Sequence, residues 1–149
     1  MLARVASVAE DLKRVPLFAG LNQRQLRQLA KDFSERSVRA GTELVKQGQM
    51  SGVDCFVIIE GEAAVKVDGK EVARLGPDDY FGELALISER ERAASVVALT
   101  PMRCYTIQFW NFRRLAKKNP DITWALLQHV TDLLLEERSR RLRAALSAS

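Results

Sequence analysis

The chain has 149 residues, with 23 Lys and Arg against 19 Asp and Glu and a formal net charge of +4. That length suits one domain with a real core that needs neither disulfides nor metal. The charge is modest and much of it sits in arginines near the C-terminus, so it lacks the concentrated basic face of a nucleic-acid binder.

Residues 7–38 carry a helical pattern broken at Pro16 and Gly20. Asn22 with Gln25 three residues on predicts a capping box, and Leu26, Leu29, Ala30 and Phe33 recur on one helical face. From residue 37 to 108 the texture changes to short β-rich runs separated by turn signals. Strands are expected at 42–45, 55–59, 63–67 and 72–75, then at 95–99 and 102–109. Asp68-Gly69 is a two-residue hairpin signal, and Gly76-Pro77 and Thr100-Pro101 mark further turns. Cys55 and Cys104 fall in apolar strand-like runs with no C-x-x-C pair, which reads as two reduced core thiols. Helices return at 112–118 and after Asn119-Pro120, where proline suits a first turn. Ile122, Ala125, Leu126, Val130, Leu133 and Leu134 predict one apolar stripe, and Leu135, Leu142 and Leu146 a shifted one. Glu136–Arg140 and Glu137–Arg141 are expected as i,i+4 pairs. The arginine cluster Arg138, Arg140, Arg141 and Arg143 reads as a solvated face.

The segment F-G-E-L-A-L-I-S-E-R-E-R-A-A-S, residues 81–95, carries the chemistry. Gly82 has no Cβ and lets the backbone approach a ligand closely. Glu83 opens an apolar run of about one helical turn, whose N–H groups can face an anion. Arg92 adds a planar fork of donors suited to phosphate. A carboxylate, an amide nest and an arginine are the parts that hold a ribose hydroxyl beside a phosphate.

This ordered set resembles the phosphate-binding cassette of the cyclic-nucleotide-binding domain family, found in protein kinase A regulatory subunits, catabolite activator proteins and cyclic-nucleotide-gated channels. Phe81, Gly82, Glu83, Leu84, Ala85 and Leu86 match its first half; Arg92, Ala93, Ala94 and Ser95 match its second. Glu91 stands where many members have proline, and Arg90 is an extra arginine that spacing leaves to solvent. The likeness covers roughly residues 15–143, including Ala40-Gly41, Gln47-Gly48, Phe56-Val57-Ile58 and Glu60-Gly61. It implies a mainly β fold: an eight-stranded antiparallel jelly-roll barrel with an N-terminal helical bundle and C-terminal hinge or lid helices. The implied layout is a single domain: a helical segment at 1–36, the barrel at 37–109 with the cassette at 81–95, and helices at 110–146. It further implies that Glu83 accepts from the ribose 2′-OH and Arg92 pairs with an exocyclic phosphate oxygen. The N–H groups of Ala85 and Ala93 cradle the phosphate, and Gly82 permits close approach. Leu84 and Ser95 complete the ligand-binding set. Members that prefer cyclic GMP often carry threonine at the Ala93 position, so cyclic AMP is favoured over cyclic GMP. Side chains between Leu134 and Leu142 are the candidates for covering the base.

Enzyme chemistry is not expected. His129 is the only histidine and reads as a core-edge or surface residue, so the chain lacks the histidine set of a metal-dependent jelly-roll enzyme. Haem and iron–sulfur ligation fail for want of ligands, and no serine or cysteine has a nearby candidate base. No metal or cofactor is expected beyond the nucleotide ligand. The apolar run 122–135 is broken by Gln128, His129 and Asp132 and cannot span a bilayer. No signal-peptide pattern is legible, so a cytoplasmic location is expected. No helix-turn-helix for DNA follows the long helix. The leucines past Leu133 suggest a homodimer or effector contact. The alternative functions are a ligand-free interaction module of the same fold, or the sensor fragment of a larger regulator or channel.

Overall fold

The computed structural model describes residues 2–49, 54–82, 86 and 92–148. Helix α1 (Leu2–Leu12) is followed by a 3-10 turn at Pro16–Phe18 and by α2 (Gln23–Ala30). Proline suits the start of the turn because its missing N–H needs no partner there. The capping box of α2 is formed: the Gln25 N–H donates to Asn22 Oδ1 and the Asn22 N–H to Gln25 Oε1, each at 2.9 Å. The helix ends in tight turns, the Asp32 N–H donating to Leu29 O at 3.0 Å and the Phe33 N–H to Ala30 O at 3.2 Å.

Strand β1 (Ser34–Val38) comes next, so the helical reading to residue 38 is corrected and the β region opens three residues before 37. Four of its five residues are exposed, which gives the run the polar texture of a helix surface. Its strand state comes from a full antiparallel ladder with a distant partner, from Ser34 opposite Thr106 to Val38 opposite Met102. The other strands are β2 (Glu43–Val45), β3 (Asp54–Glu60), β4 (Ala63–Val67), β5 (Lys70–Leu75), β6 (Tyr80–Phe81), β7 (Ser95–Ala98) and β8 (Met102–Gln108). They form two antiparallel sheets, ordered β1-β8-β3-β6 and β2-β7-β4-β5. The β4–β5 hairpin turns at Asp68 and Gly69, at φ +52° and +80°. Positive φ at both central residues is the I′ geometry that matches strand twist.

Two hydrophobic cores follow from the period of two along a strand. Phe56 and Ile58 of β3, with Met102 and Cys104 of β8, pack with Val45, Ala63, Phe81, Val96 and Ala98 between the sheets. Cys55 and Val57, with Tyr105 and Ile107, face outward onto the helices and meet Leu12, Phe18, Leu29, Phe112 and Ile122. The first sheet is therefore buried on both faces along β3, which explains that strand's unbroken apolar run. Both cysteines are buried thiols, one in each core. Burial pushes the Cys104 thiol up to about 11, against the opposing pull of Arg36.

Helices α3 (Phe109–Lys118) and α4 (Pro120–Ala148) close the chain, and α4 packs chiefly on α3 and the 3-10 turn. Ile122 and Leu126 are buried, with Ala125 and Val130 partly so. The expected stripe stops there: Leu134 is 67% exposed, and Leu135, Leu142 and Leu146 are exposed with it. A helix of 29 residues outruns the core that its first three turns cover. Glu137 takes both arginines, Arg140 at 2.8 Å and Arg141 at 3.3 Å, so the expected Glu136–Arg140 pair gives way to an i,i+3 pair. His129 sits half-buried against Gly20, and among the described residues its Nε2 is a buried atom with no hydrogen-bond partner. No helix of the described residues is long and apolar enough to cross a membrane.

Candidate functional site around Arg92

Antiparallel pairing of Phe81 with Phe56 lays the two rings in a stack, centroids 4.7 Å apart. The same pairing brings the next residue, Gly82, beside the Asp54–Cys55 peptide. Gly82 has φ +81°, and a Cβ there would lie 2.4 Å from Asp54 O and 2.9 Å from Arg92 Nη1. Only glycine fits a left-handed conformation at that distance from a carbonyl. The close approach expected of Gly82 is thus toward this chain's own backbone and Arg92.

Arg92 is 9% exposed, an unusual burial for an arginine. Its Nη2 donates to Asp54 O at 3.0 Å. Its backbone is clamped from the other side: the Arg92 N–H donates to Gln49 O, and Arg92 O accepts from the Gly48 N–H, both at 2.9 Å. The start of β3 therefore holds the guanidinium, and the 48–49 turn holds the backbone. The fixed guanidinium is a planar fork suited to a phosphate.

Burial holds the Asp54 carboxyl above its ordinary range, and the nearby Arg36 and Arg92 charges pull it partly back. Asp54 thus serves Arg92 twice, through its carbonyl and through its charge. Sequence reasoning missed it. An aspartate opening an apolar strand is a visible oddity, but nothing in the spacing ties it to an arginine 38 residues away.

Of the expected site residues, Gly82 and Arg92 come together. Ala93 follows on the exposed surface, and Ser95 opens β7, its Oγ accepting from the Gln47 N–H at 2.9 Å. Glu83, Leu84 and Ala85 lie outside the described residues, as do Arg90 and Glu91. Leu86 is described. It is 2% exposed and belongs to the helical core, at the edge of a groove of about 360 Å³ lined by Phe109, Phe112, Leu126, Leu127 and Val130.

Residues 35–119 match the profile of the cyclic nucleotide-binding domain. The chain belongs to that family. Over 122 residues it is 33% identical to cGMP-dependent protein kinase isozyme 1 of Drosophila melanogaster, matching 76% of this chain and 16% of that kinase. Among solved structures it is similar to the N-terminal domain of a transcriptional regulator from Streptomyces coelicolor A3(2). That likeness has a TM-score of 0.77 at 28% identity, over 88% of this chain and 94% of that one. It is also similar to the regulatory domain of Toxoplasma gondii PKA crystallised with cAMP, with a TM-score of 0.68 at 29% identity, over 93% of this chain and 51% of that one. The chain therefore spans a small part of the kinase and about half of the PKA domain.

Proposed function

We propose that this domain is a cyclic-nucleotide sensor that prefers cyclic AMP and couples its binding to movement of the C-terminal helices. The observation that carries the reading is Arg92, a buried guanidinium oriented by Asp54 O against Gly82 within a cassette that matches the family. In this reading Arg92 pairs with an exocyclic phosphate oxygen, Glu83 accepts from the ribose 2′-OH, and the N–H groups of Ala85 and Ala93 cradle the phosphate. Leu84 and Ser95 complete the wall. The strand orders β1-β8-β3-β6 and β2-β7-β4-β5 support a jelly-roll barrel as the frame.

Two observations support coupling. Leu86 lies inside the cassette yet packs with α3 and α4, so a shift of the cassette pulls directly on the helices. The exposed leucines of α4 leave an apolar face for a base, a second copy or an effector to cover. A ligand shifts such an equilibrium only by its differential affinity for the two arrangements.

Preference for cyclic AMP rests on Ala93, whose methyl offers no hydroxyl to a guanine 2-amino group. The PKA domain crystallised with cAMP agrees with it, and the cGMP-dependent kinase runs the other way. A second reading, the sensor segment of a longer cytoplasmic regulator, is favoured by the small share of the kinase that the chain matches. Calorimetric titration with cyclic AMP and cyclic GMP tests the proposal. Tighter binding of cyclic AMP is expected. Tighter cyclic GMP binding overturns the preference, and no heat with either nucleotide leaves a ligand-free interaction module.

A further inference from the structure

The turn at residues 46–49 supplies the backbone clamp on Arg92, and its second residue, Gln47, reaches in two directions. The Gln47 N–H donates to Ser95 Oγ at 2.9 Å. Its side-chain Nε2 donates to Asp68 Oδ1 at 3.0 Å while its Oε1 accepts from the Asp68 N–H at 2.9 Å. The next two residues hold Arg92 through the Gly48 N–H and Gln49 O, and the Gln49 N–H closes the turn on Lys46 O at 3.2 Å. One half-buried residue thus joins the hairpin tip through its side chain and the start of β7 through its backbone N–H, next to the Arg92 clamp.

That joint has a physical purpose. The turn follows a three-residue strand and contains Gly48 at φ +85°, the residue type that loses most freedom on ordering. The β4–β5 hairpin is the better-anchored partner, with five paired positions, one register shift between Val65 and Lys66, and an I′ turn at its tip. Asp68, at φ +52°, presents its N–H and its carboxylate together. A glutamine amide answers both, with a donor for the carboxylate and an acceptor for the N–H; a carboxylate side chain at position 47 lacks the donor.

We infer that Gln47 is a positioning residue for Arg92, transmitting the rigidity of the β4–β5 hairpin tip to the loop that clamps the arginine. Its consequence for ligand affinity rests on the nucleotide-sensor reading; its effect on Arg92 itself does not.

A swap of polarity tests this. Asp68→Asn keeps the acceptor oxygen and both bonds. Gln47→Glu removes the donor and sets two carboxylates together. In the double variant the new asparagine amide donates to the new carboxylate, and both bonds return. Two quantities are measured: hydrogen exchange of the Arg92 amide in nucleotide-free protein, and calorimetric affinity for cyclic AMP. Gln47→Glu is expected to speed Arg92 exchange and weaken binding about fivefold, as the loss of a hydrogen-bonded contact predicts. Asp68→Asn and the double variant should stay within about twofold of the parent in both.

Unchanged Arg92 exchange in Gln47→Glu overturns the proposal. So does a double variant as impaired as Gln47→Glu alone, or an exchange rate that merely follows global unfolding. If the parent protein binds no cyclic AMP, the sensor reading fails, while the exchange measurement still decides the role of Gln47.

Discussion

Gly82→Ala is the sharpest perturbation of the Arg92 site. An added Cβ would sit 2.4 Å from Asp54 O, whereas ordinary contact begins at 3.4 Å, so the carbonyl must retreat by about 1 Å. That retreat stretches the Arg92 Nη2 bond from 3.0 Å toward about 4 Å, where no hydrogen bond survives. Forcing alanine to φ +81° costs about 1–2 kcal/mol on its own. Losing a bond from a charged donor adds about 1.5–3 kcal/mol. Unfolding in urea should therefore show a loss of about 2.5–5 kcal/mol. Cyclic AMP affinity should fall at least tenfold, or about 1.4 kcal/mol, because the guanidinium loses its orientation. Gly69→Ala separates the two causes. Gly69 has φ +80° but nothing within 4 Å of its would-be Cβ, so it should cost only the conformational part and leave affinity intact. The reasoning is refuted if Gly82→Ala is no more costly than Gly69→Ala, or binds cyclic AMP as tightly as the parent.

Arg92→Lys keeps the charge but loses the fork, and should weaken cyclic AMP binding more than tenfold by calorimetry, while Arg90→Lys stays within about twofold. Glu83→Gln should weaken cyclic AMP more than its 2′-deoxy analogue; an additive double cycle would show that Glu83 does not touch the hydroxyl. Deleting the chain after Leu133 should leave a folded domain by circular dichroism, since the removed residues are almost all exposed. If they cover the base, affinity should drop by about 1–2 kcal/mol, chiefly through faster dissociation. Asp54→Asn should change how stability depends on pH. The folded Asp54 carboxyl holds its proton more tightly than the unfolded one, so its contribution is full below the ordinary value of 3.8 and is lost as pH rises through the raised folded value. Urea unfolding across that window should show a flatter profile for the variant, and a parallel profile would refute the assignment.

What was legible in the sequence was local. Asn22 with Gln25 and Asp68-Gly69 each carry their geometry in adjacent residues, and both turns form as the residue types require. The apolar run at 55–59 read as a strand, and β3 forms over it. Misreadings occurred where distant partners decide. Ser34–Val38 is polar enough to continue a helix and becomes a strand because β8 offers it a ladder. Leu134 has the spacing of a core residue, but the core ends a turn earlier. At the site, motif spacing singled out Gly82 and Arg92, whereas Asp54 and the tie between Gln47 and Asp68 exist only once three loops converge. Hydrogen bonds that cross 21 or 38 residues leave no periodic trace.

The division into two cores has a mechanical consequence. Leu86, a described residue of the 81–95 segment, packs with Phe112, Ile122 and Leu126 and not with the interior of the sandwich. Repacking it therefore changes contacts within the helical core alone, while Phe56, Ile58, Val96 and Met102 keep their neighbours. The sandwich behaves as a chassis and the helices as a suspended load, joined through the outward faces of β3 and β8. The helix movement proposed above would then be confined to one core, while the Arg92 clamp, mounted on the chassis, keeps its register.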